Sequence, residues 1–87
     1  METIRLLIDS NRFDEARRAL DTIISSGDAT AEAYYLRGRL FWRTGFRSLA
    51  VTDYEHAVAL DPDSPARHAL EMARDIESFF NPDLLNP

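Results

Sequence analysis

The chain has 87 residues, no cysteine, 45% hydrophobic residues and a net charge of −5, which indicate one small acidic domain with enough apolar residues for a core. The acidic balance argues against nucleic acid as the main partner, and the lack of cysteine excludes disulfides and thiol chemistry. No apolar run reaches the length of a transmembrane helix, and the short run after Met1 does not fit a signal peptide, so we expect a cytoplasmic location and no membrane attachment.

The first part of the chain predicts two helices. Residues 2–9 and residues 12–26 each repeat apolar side chains at steps of three and four, the period of an α-helix. Ser10 and Asn11 turn the chain between them, and Gly27 is suited to end the second helix in a left-handed conformation. The apolar faces consist of Ile4, Leu7 and Ile8 in the first helix and Phe13, Ala16, Leu20, Ile23 and Ile24 in the second.

The next stretch predicts a pair of helices, residues 31–44 and residues 47–60, joined by a turn at Gly45. Thr30 is placed to cap the first helix of this pair. Gly38 lies in the middle of that helix, where glycine costs roughly 0.5–1 kcal/mol relative to alanine. Close approach of the partner helix would offset this cost, because glycine has no Cβ. The small side chains predicted to face it are Ala50 and Ala57.

This stretch resembles the tetratricopeptide repeat, a helix–turn–helix unit of about 34 residues with aromatic, small and proline residues at fixed positions. Two departures from the pattern are visible. Arg37 stands where a leucine is expected, and Phe46 and Arg47 look exchanged. The residues that match the pattern are Tyr34, Gly38, Phe41, Ala50, Tyr54, Ala57 and Pro62.

The beginning of the chain looks like a degenerate copy of the same repeat. A shift of 34 residues places Ala50 on Ala16 and Tyr54 on Leu20. The resemblance therefore implies an all-α fold, a superhelix of two antiparallel helix hairpins followed by a capping helix. The implied organisation is a single domain over residues 1–80, with a degenerate repeat at 1–30, a full repeat at 31–64 and a capping helix at 65–80, followed by a C-terminal tail at 81–87.

The predicted capping helix begins with Ser64 at the N-cap and Pro65 at the first helical position. Its outer face is polar, as the helix that ends an array needs for solubility. We therefore expect the array to end with this helix. The inward residues are predicted to be Ala66, Ala69, Leu70, Ala73, Ile76 and Phe80, and the outward residues Arg67, Glu71, Arg74, Asp75 and Ser78.

No constellation of residues in the sequence carries the chemistry of a catalytic or metal site. His56 and His68 lie on neighbouring predicted helices without the spacing of a metal-binding pair, and the three glycines are too scattered for a phosphate-binding loop. Asp61 and Asp63 fit a turn better than a metal site. We expect no catalytic residue, no metal and no cofactor.

The resemblance implies a concave groove that binds extended peptides and is lined by the first helix of each repeat. Arg5 and Arg39 would flank Tyr35 and suit a protein or peptide partner that carries an acidic group. The residues implied for this groove are Arg5, Tyr35, Arg39, Trp42 and Arg43, with further contributions from Ile8, Asp9, Glu32, Ala69, Ala73, Ile76 and Glu77.

Alternatives remain open for these residues. Arg5 and Arg39 can instead form exposed ion pairs, which contribute little. Trp42 can pack against the capping helix, near Ala73 or Ile76, instead of contacting a ligand. The carboxylate clamp of chaperone-binding relatives uses lysine and asparagine at positions where this chain lacks them, so chaperone-tail binding is not implied. The acids within reach of the two arginines are Glu2, Glu32 and Asp9.

The predicted function is therefore a non-catalytic protein-interaction module. The alternative is a self-associating subunit, such as a homodimer, or a regulatory accessory subunit, with the hydrophobic C-terminal end as its contact. Burying each large apolar side chain of that end is worth about 1.5–3 kcal/mol, so we expect the tail to fold back or to meet a second molecule. A frayed terminus is the other possibility. The apolar residues concerned are Phe79, Phe80, Leu84 and Leu85.

Overall fold

A computed structural model describes residues 1–80 of the chain, with side chains up to residue 75. Its described part consists of helices and turns without a strand, which confirms the predicted all-α fold. Each predicted helix is present, and no helix end differs from its prediction by more than one residue. The five helices are α1 (Glu2–Asp9), α2 (Phe13–Ser25), α3 (Ala31–Arg43), α4 (Arg47–Leu60) and α5 (Ala66–Phe80).

The helix ends follow from local chemistry. The Thr30 side chain accepts a hydrogen bond of 3.1 Å from the backbone N–H three residues later and caps α3. Ser64 caps α5 by accepting a hydrogen bond of 3.1 Å from the backbone N–H of Ala66. Gly27 and Gly45 have φ angles of +88° and +92°, which let the chain turn after α2 and α3 without strain on a side chain.

Each helix packs against the next one along the chain, so that α1–α2 and α3–α4 form two antiparallel hairpins and α5 lies against α4. We call them the first and the second hairpin. Their apolar residues form two clusters, and α3 contributes to both of them. The first cluster is aliphatic, with Ile4, Ile8, Ala16, Leu20, Ala33, Leu36 and Leu40, and the second contains Phe41, Ala50, Tyr54, Ala57, Ala66 and Leu70.

The close approach predicted at Gly38 is observed between α3 and α4. A Cβ atom at Gly38 would lie 2.6 Å from Cε1 of Tyr54 and 3.3 Å from the carbonyl oxygen of Ala50. Ala50 and Ala57 are completely buried, as predicted. However, the ring of Tyr54 fills most of the space that glycine leaves, so the contact is glycine against an aromatic ring rather than small against small.

The capping helix α5 has the predicted two faces within its described side chains. Its inner residues are buried or half-buried, and Arg67, Glu71, Arg74 and Asp75 are exposed. Met72 departs from this pattern, because it is 51% exposed among polar neighbours. The predictions for the side chains of residues 76–80 and for the tail at 81–87 lie outside the described residues. No helix in the described part is long and apolar enough to cross a membrane.

Candidate peptide-binding groove

The solvent-facing side of α3 carries four polar or aromatic residues on successive turns, which we call the α3 stripe. These residues share a face because they are spaced by three or four positions. The other sides of α3 carry apolar residues of the two clusters and Arg37. The α3 stripe consists of Glu32, Tyr35, Arg39 and Arg43.

Tyr35 is the stripe residue that packs against the core. It is half-buried and packs against both apolar clusters, and its ring centroid lies 6.1 Å from that of Tyr54. The guanidinium carbon of Arg39 lies 5.9 Å from the centre of the Tyr35 ring, within the range of a cation–π contact. The predicted juxtaposition of an aromatic ring and an arginine on this face is therefore present.

Arg5 approaches the same place from α1. Its Nη2 atom lies 3.5 Å from Oε1 of Glu32, and the two side chains are 48% and 43% exposed. An exposed pair of this kind contributes little to stability. Arg5 therefore forms the exposed ion pair that the sequence left open as the alternative to contact with a ligand. Arg5, Glu32 and Tyr35 also line a pocket of about 160 Å³, which we call the α3 pocket. Its other lining residues are Ala31, Asp61, Ser64 and Pro65.

Trp42 and Arg43 lie at the far end of α3, away from this pocket. Trp42 is half-buried against the second cluster, and the Arg47 guanidinium carbon lies 5.0 Å from the centre of its ring. The guanidinium of Arg43 lies 5.4 Å from the centre of the Phe13 ring, at the beginning of α2. The structure therefore brings Arg5, Tyr35 and Arg39 together, whereas Trp42 packs into the core side of α3.

The motif residues of the repeat hold the second hairpin together instead of facing the groove. Tyr34 is half-buried and stacks on His56 with ring centroids 4.9 Å apart. Pro62 is exposed in the turn between α4 and α5. The motif residues buried between α3 and α4 are Gly38, Phe41, Ala50, Tyr54 and Ala57.

Arg37 has a role that the sequence pattern shows only as a departure from the motif. Its Nε and Nη2 atoms donate hydrogen bonds of 2.8 Å to the two carboxylate oxygens of Asp53, and Nη1 donates one of 3.1 Å to Asp21. Asp53 is only 2% exposed. The hydrogen bonds to Asp53 raise the pKa of the Arg37 guanidinium above its ordinary value, although burial opposes this effect.

This ion pair lies on the opposite side of α3 from the stripe and ties together α2, α3 and α4. The sequence does contain a signal for it, because Asp21 and Asp53 each stand sixteen residues from Arg37. Antiparallel hairpins bring residues at such separations face to face. The pair therefore belongs to the scaffold that positions the groove, and not to the groove itself.

A family model for the tetratricopeptide repeat matches residues 2–65. The chain belongs to the tetratricopeptide repeat family. This confirms the resemblance that the spacing of the motif residues predicted. Members of the family are generally protein–protein interaction modules, and the fold described above is consistent with that class.

Two curated relatives carry the name DnaJ homolog subfamily C member 7 homolog. The chain is 27% identical to the Schizosaccharomyces pombe protein over 78 residues, covering 88% of this chain and 16% of the relative. It is 32% identical to the Dictyostelium discoideum protein over 76 residues, covering 85% of this chain and 14% of the relative. The chain therefore spans only a small part of the length of these relatives.

A solved structure of similar size shows the same fold. The solution NMR structure of the Bacteroides fragilis protein BF1650 superimposes with a TM-score of 0.83 at 36% sequence identity. The match covers 98% of this chain and 87% of the other. This agreement supports the arrangement of the helices in the described part of the chain.

Proposed function

We propose that the chain is a non-catalytic interaction module that binds an extended segment of a partner protein along the α3 stripe, in the cytoplasm. The observation that carries this proposal is Tyr35, a half-buried ring with Arg39 over it and the α3 pocket beside it. Rigid aromatic rings and arginines are the side chains that dominate binding energy at protein interfaces. The site therefore has the composition of an interaction surface.

The size of the α3 pocket favours a peptide over a small molecule. Its volume of about 160 Å³ is below the roughly 300–1,000 Å³ of pockets that enclose small ligands. A pocket of this size suits a single side chain of a longer segment. The rest of that segment would follow the α3 stripe, where side chains on successive turns are available for contact.

The arginines of the site differ in what they can offer. Arg5 is engaged with Glu32, whereas Arg39 and Arg43 lie over aromatic rings, which leaves their guanidinium edges for an acidic group of the partner. Trp42 is packed against the second cluster, so we expect it to support the stripe more than to contact the partner.

A capture experiment tests the proposal. The wild-type chain and the variant Arg39→Ala would be immobilised and exposed to native lysate, and bound proteins would be quantified by mass spectrometry. We expect Arg39→Ala to reduce the amount of specifically captured protein at least about tenfold, because interface arginines often contribute more than about 1–2 kcal/mol of binding free energy. Arg67→Ala is the matched control, since Arg67 is exposed on the outer face of α5.

The same samples distinguish this proposal from self-association. Light scattering should give the same mass for wild type and Arg39→Ala, because the stripe is not proposed as a contact between copies. If Arg39→Ala captures as much as Arg67→Ala does, the groove is not the binding surface. If capture and mass instead both change when residues 81–87 are removed, the C-terminal end is the contact.

A further inference from the structure

The charges along the α3 stripe are ordered from acidic to basic. Glu32 lies in the first turn of α3, Tyr35 follows, and Arg39 and Arg43 come one and two turns later. We call the end at Glu32 the lower end and the end at Arg39 and Arg43 the upper end. An extended partner that follows the stripe would therefore meet opposite charges at its two ends.

The lower end has a net negative charge. Arg5, Glu32 and Asp61 all line the α3 pocket there, so the charged residues of its lining are two acids and one base. Asp61 comes from the turn between α4 and α5, which means that two separate parts of the chain bring acids to one place. The Arg5–Glu32 pair leaves the Asp61 carboxylate as the excess charge of this pocket.

The upper end has the opposite balance. It carries the guanidinium groups of Arg39 and Arg43, whose central carbons lie 5.9 Å and 5.4 Å from the centres of the Tyr35 and Phe13 rings. The helix dipole of α3 favours Glu32 in the first turn and Arg43 in the last turn, so these two residues stabilise the helix even without a partner. The dipole does not account for Arg39 in the middle of α3. Asp61 stabilises the turn after α4, because its Oδ1 accepts a hydrogen bond of 3.0 Å from the backbone N–H of Asp63, and its negative charge remains at the pocket.

We propose, on the basis of the function proposed above, that the groove selects a peptide with a basic group at the lower end and an acidic group at the upper end. A lysine, an arginine or an N-terminal amine fits between the carboxylates of Glu32 and Asp61, and a carboxylate fits Arg39 and Arg43. Tyr35 contacts the side chains in between. Complementary charge fixes the register and excludes the reverse orientation, because like charges across an interface are repulsive.

The helix geometry sets the spacing of the two charges in the peptide. Glu32 is separated from Arg39 by about 10 Å and from Arg43 by about 16 Å along the helix, at about 1.5 Å per residue. An extended chain advances about 3.3 Å per residue. The basic and the acidic group of the peptide are therefore about three to five residues apart.

A peptide selection tests this inference on the intact chain. A random peptide display library would be panned against the wild-type chain, and the enriched peptides would be measured by fluorescence anisotropy. We expect enriched sequences to carry a basic and an acidic residue at the spacing given above. We also expect their affinity to fall at least about threefold with Tyr35→Ala, which places them on the stripe.

A charge exchange in the protein then tests the order of the charges. The variant Glu32→Arg/Arg39→Glu keeps the net charge and should weaken the selected peptides at least about tenfold. Peptides with their two charged residues exchanged should recover most of that loss. The matched control is Arg67→Glu/Glu71→Arg on the outer face of α5, a pair 3.8 Å apart that should leave every affinity unchanged.

Circular dichroism would verify that the exchanged variant is folded, and that Tyr35→Ala is folded, since Tyr35 packs against both apolar clusters. If the exchanged variant is unfolded, the separate neutral variants Glu32→Gln and Arg39→Gln replace it, and each should weaken the selected peptides several-fold. Peptides that respond to Tyr35→Ala but bind equally well after the exchange or the neutralisation would overturn the charge order and leave the proposed function intact. A selection without any peptide that responds to Tyr35→Ala would overturn both.

Discussion

The two hairpins of the chain have the same arrangement but fill the space between their helices in different ways. At the 34-residue offset, Gly38 and Tyr54 of the second hairpin correspond to Ile4 and Leu20 of the first. All four residues are buried. In the first hairpin, Ile4 and Leu20 share the side-chain volume at this contact between the helices. In the second hairpin, almost all of that volume belongs to Tyr54, because Gly38 has no side chain. The same backbone arrangement is thus compatible with two distributions of side-chain volume.

The second difference is polar. Arg37 and Asp53, the ion pair of the second hairpin, correspond to Thr3 and Ala19 in the first. The first hairpin is therefore held by aliphatic contacts, whereas the second adds a directional pair inside its helix interface. The first hairpin thus has no counterpart of the Arg37–Asp53 pair between its helices, and its packing depends on apolar burial.

Removal of Asp53 should have the largest effect. Asp53→Ala leaves the Arg37 guanidinium in a mostly buried position with Asp21 as its remaining carboxylate partner, which should lower the free energy of unfolding by about 3 kcal/mol. Urea unfolding measures the change. The apolar replacement of both partners, Arg37→Met/Asp53→Leu, is the control and should recover most of the loss. A loss below about 1 kcal/mol for Asp53→Ala would mean that the polar contrast between the hairpins is unimportant.

Filling the space at Gly38 tests the packing contrast. Gly38→Ala gains helix propensity, but its Cβ would lie 2.6 Å from the Tyr54 ring. We expect a net loss of about 1–2 kcal/mol, because the cost of overpacking exceeds the propensity gain. Adding Tyr54→Leu makes the second hairpin resemble the first and should remove part of this loss in a double-mutant cycle. A stabilised Gly38→Ala variant would contradict the close approach.

Alkaline pH should destabilise the second hairpin through Tyr54. Burial raises the pKa of Tyr54 from its ordinary value of 10.0 to about 12. The unfolded chain then loses the phenolic proton at lower pH than the folded chain does, so stability is complete below pH 10 and decreases between pH 10 and 12. At pH 11 this amounts to about 1.4 kcal/mol.

The control for this pH effect is Tyr54→Phe, which removes the titrating group and keeps the ring. Urea unfolding at pH 8 and pH 11 should show a smaller alkaline loss for Tyr54→Phe than for the wild type. Equal losses in the two proteins would assign the alkaline effect to other groups. Leu20 at the corresponding place of the first hairpin does not titrate, so the effect belongs to one hairpin only.

The smallest effect concerns the helix caps. Thr30 caps α3 with its side chain, whereas α1 and α2 begin without a side-chain cap hydrogen bond. Thr30→Ala should therefore lower the unfolding free energy by about 1 kcal/mol, measured by urea unfolding. Thr22→Ala is the control on the exposed surface of α2 and should change stability by less than about 0.5 kcal/mol. Equal effects would show that the cap has no special importance for the second hairpin.

The sequence determined the helices well because their signals are local. Apolar spacing, Gly27 and Gly45 after α2 and α3, and Thr30 and Ser64 before α3 and α5 all act within a few residues. The Arg37–Asp53 pair joins two helices, and its signal in the sequence, a separation of sixteen residues, applies equally to Asp21 and Asp53. The motif therefore marked Arg37 as an exception without showing its partner.

The candidate site was predictable to a similar degree. The face of α3 that carries Tyr35 and Arg39 follows from helical periodicity once the buried positions are known. The direction of each long side chain does not follow from this periodicity, because an arginine can reach several partners from one backbone position. Arg5 extends to Glu32 and Arg43 extends to Phe13, and both choices depend on neighbouring helices.

The third hydrogen bond of Arg37 has a consequence for the shape of the binding surface. Its bond to Asp21 crosses from one hairpin to the other, so it opposes rotation of the two units about their shared boundary. The bond thereby helps to hold the angle between the two hairpins in the unbound chain. A surface whose shape is held in the free protein loses less conformational entropy on association, so this arginine on the reverse side of α3 would favour binding at the proposed stripe.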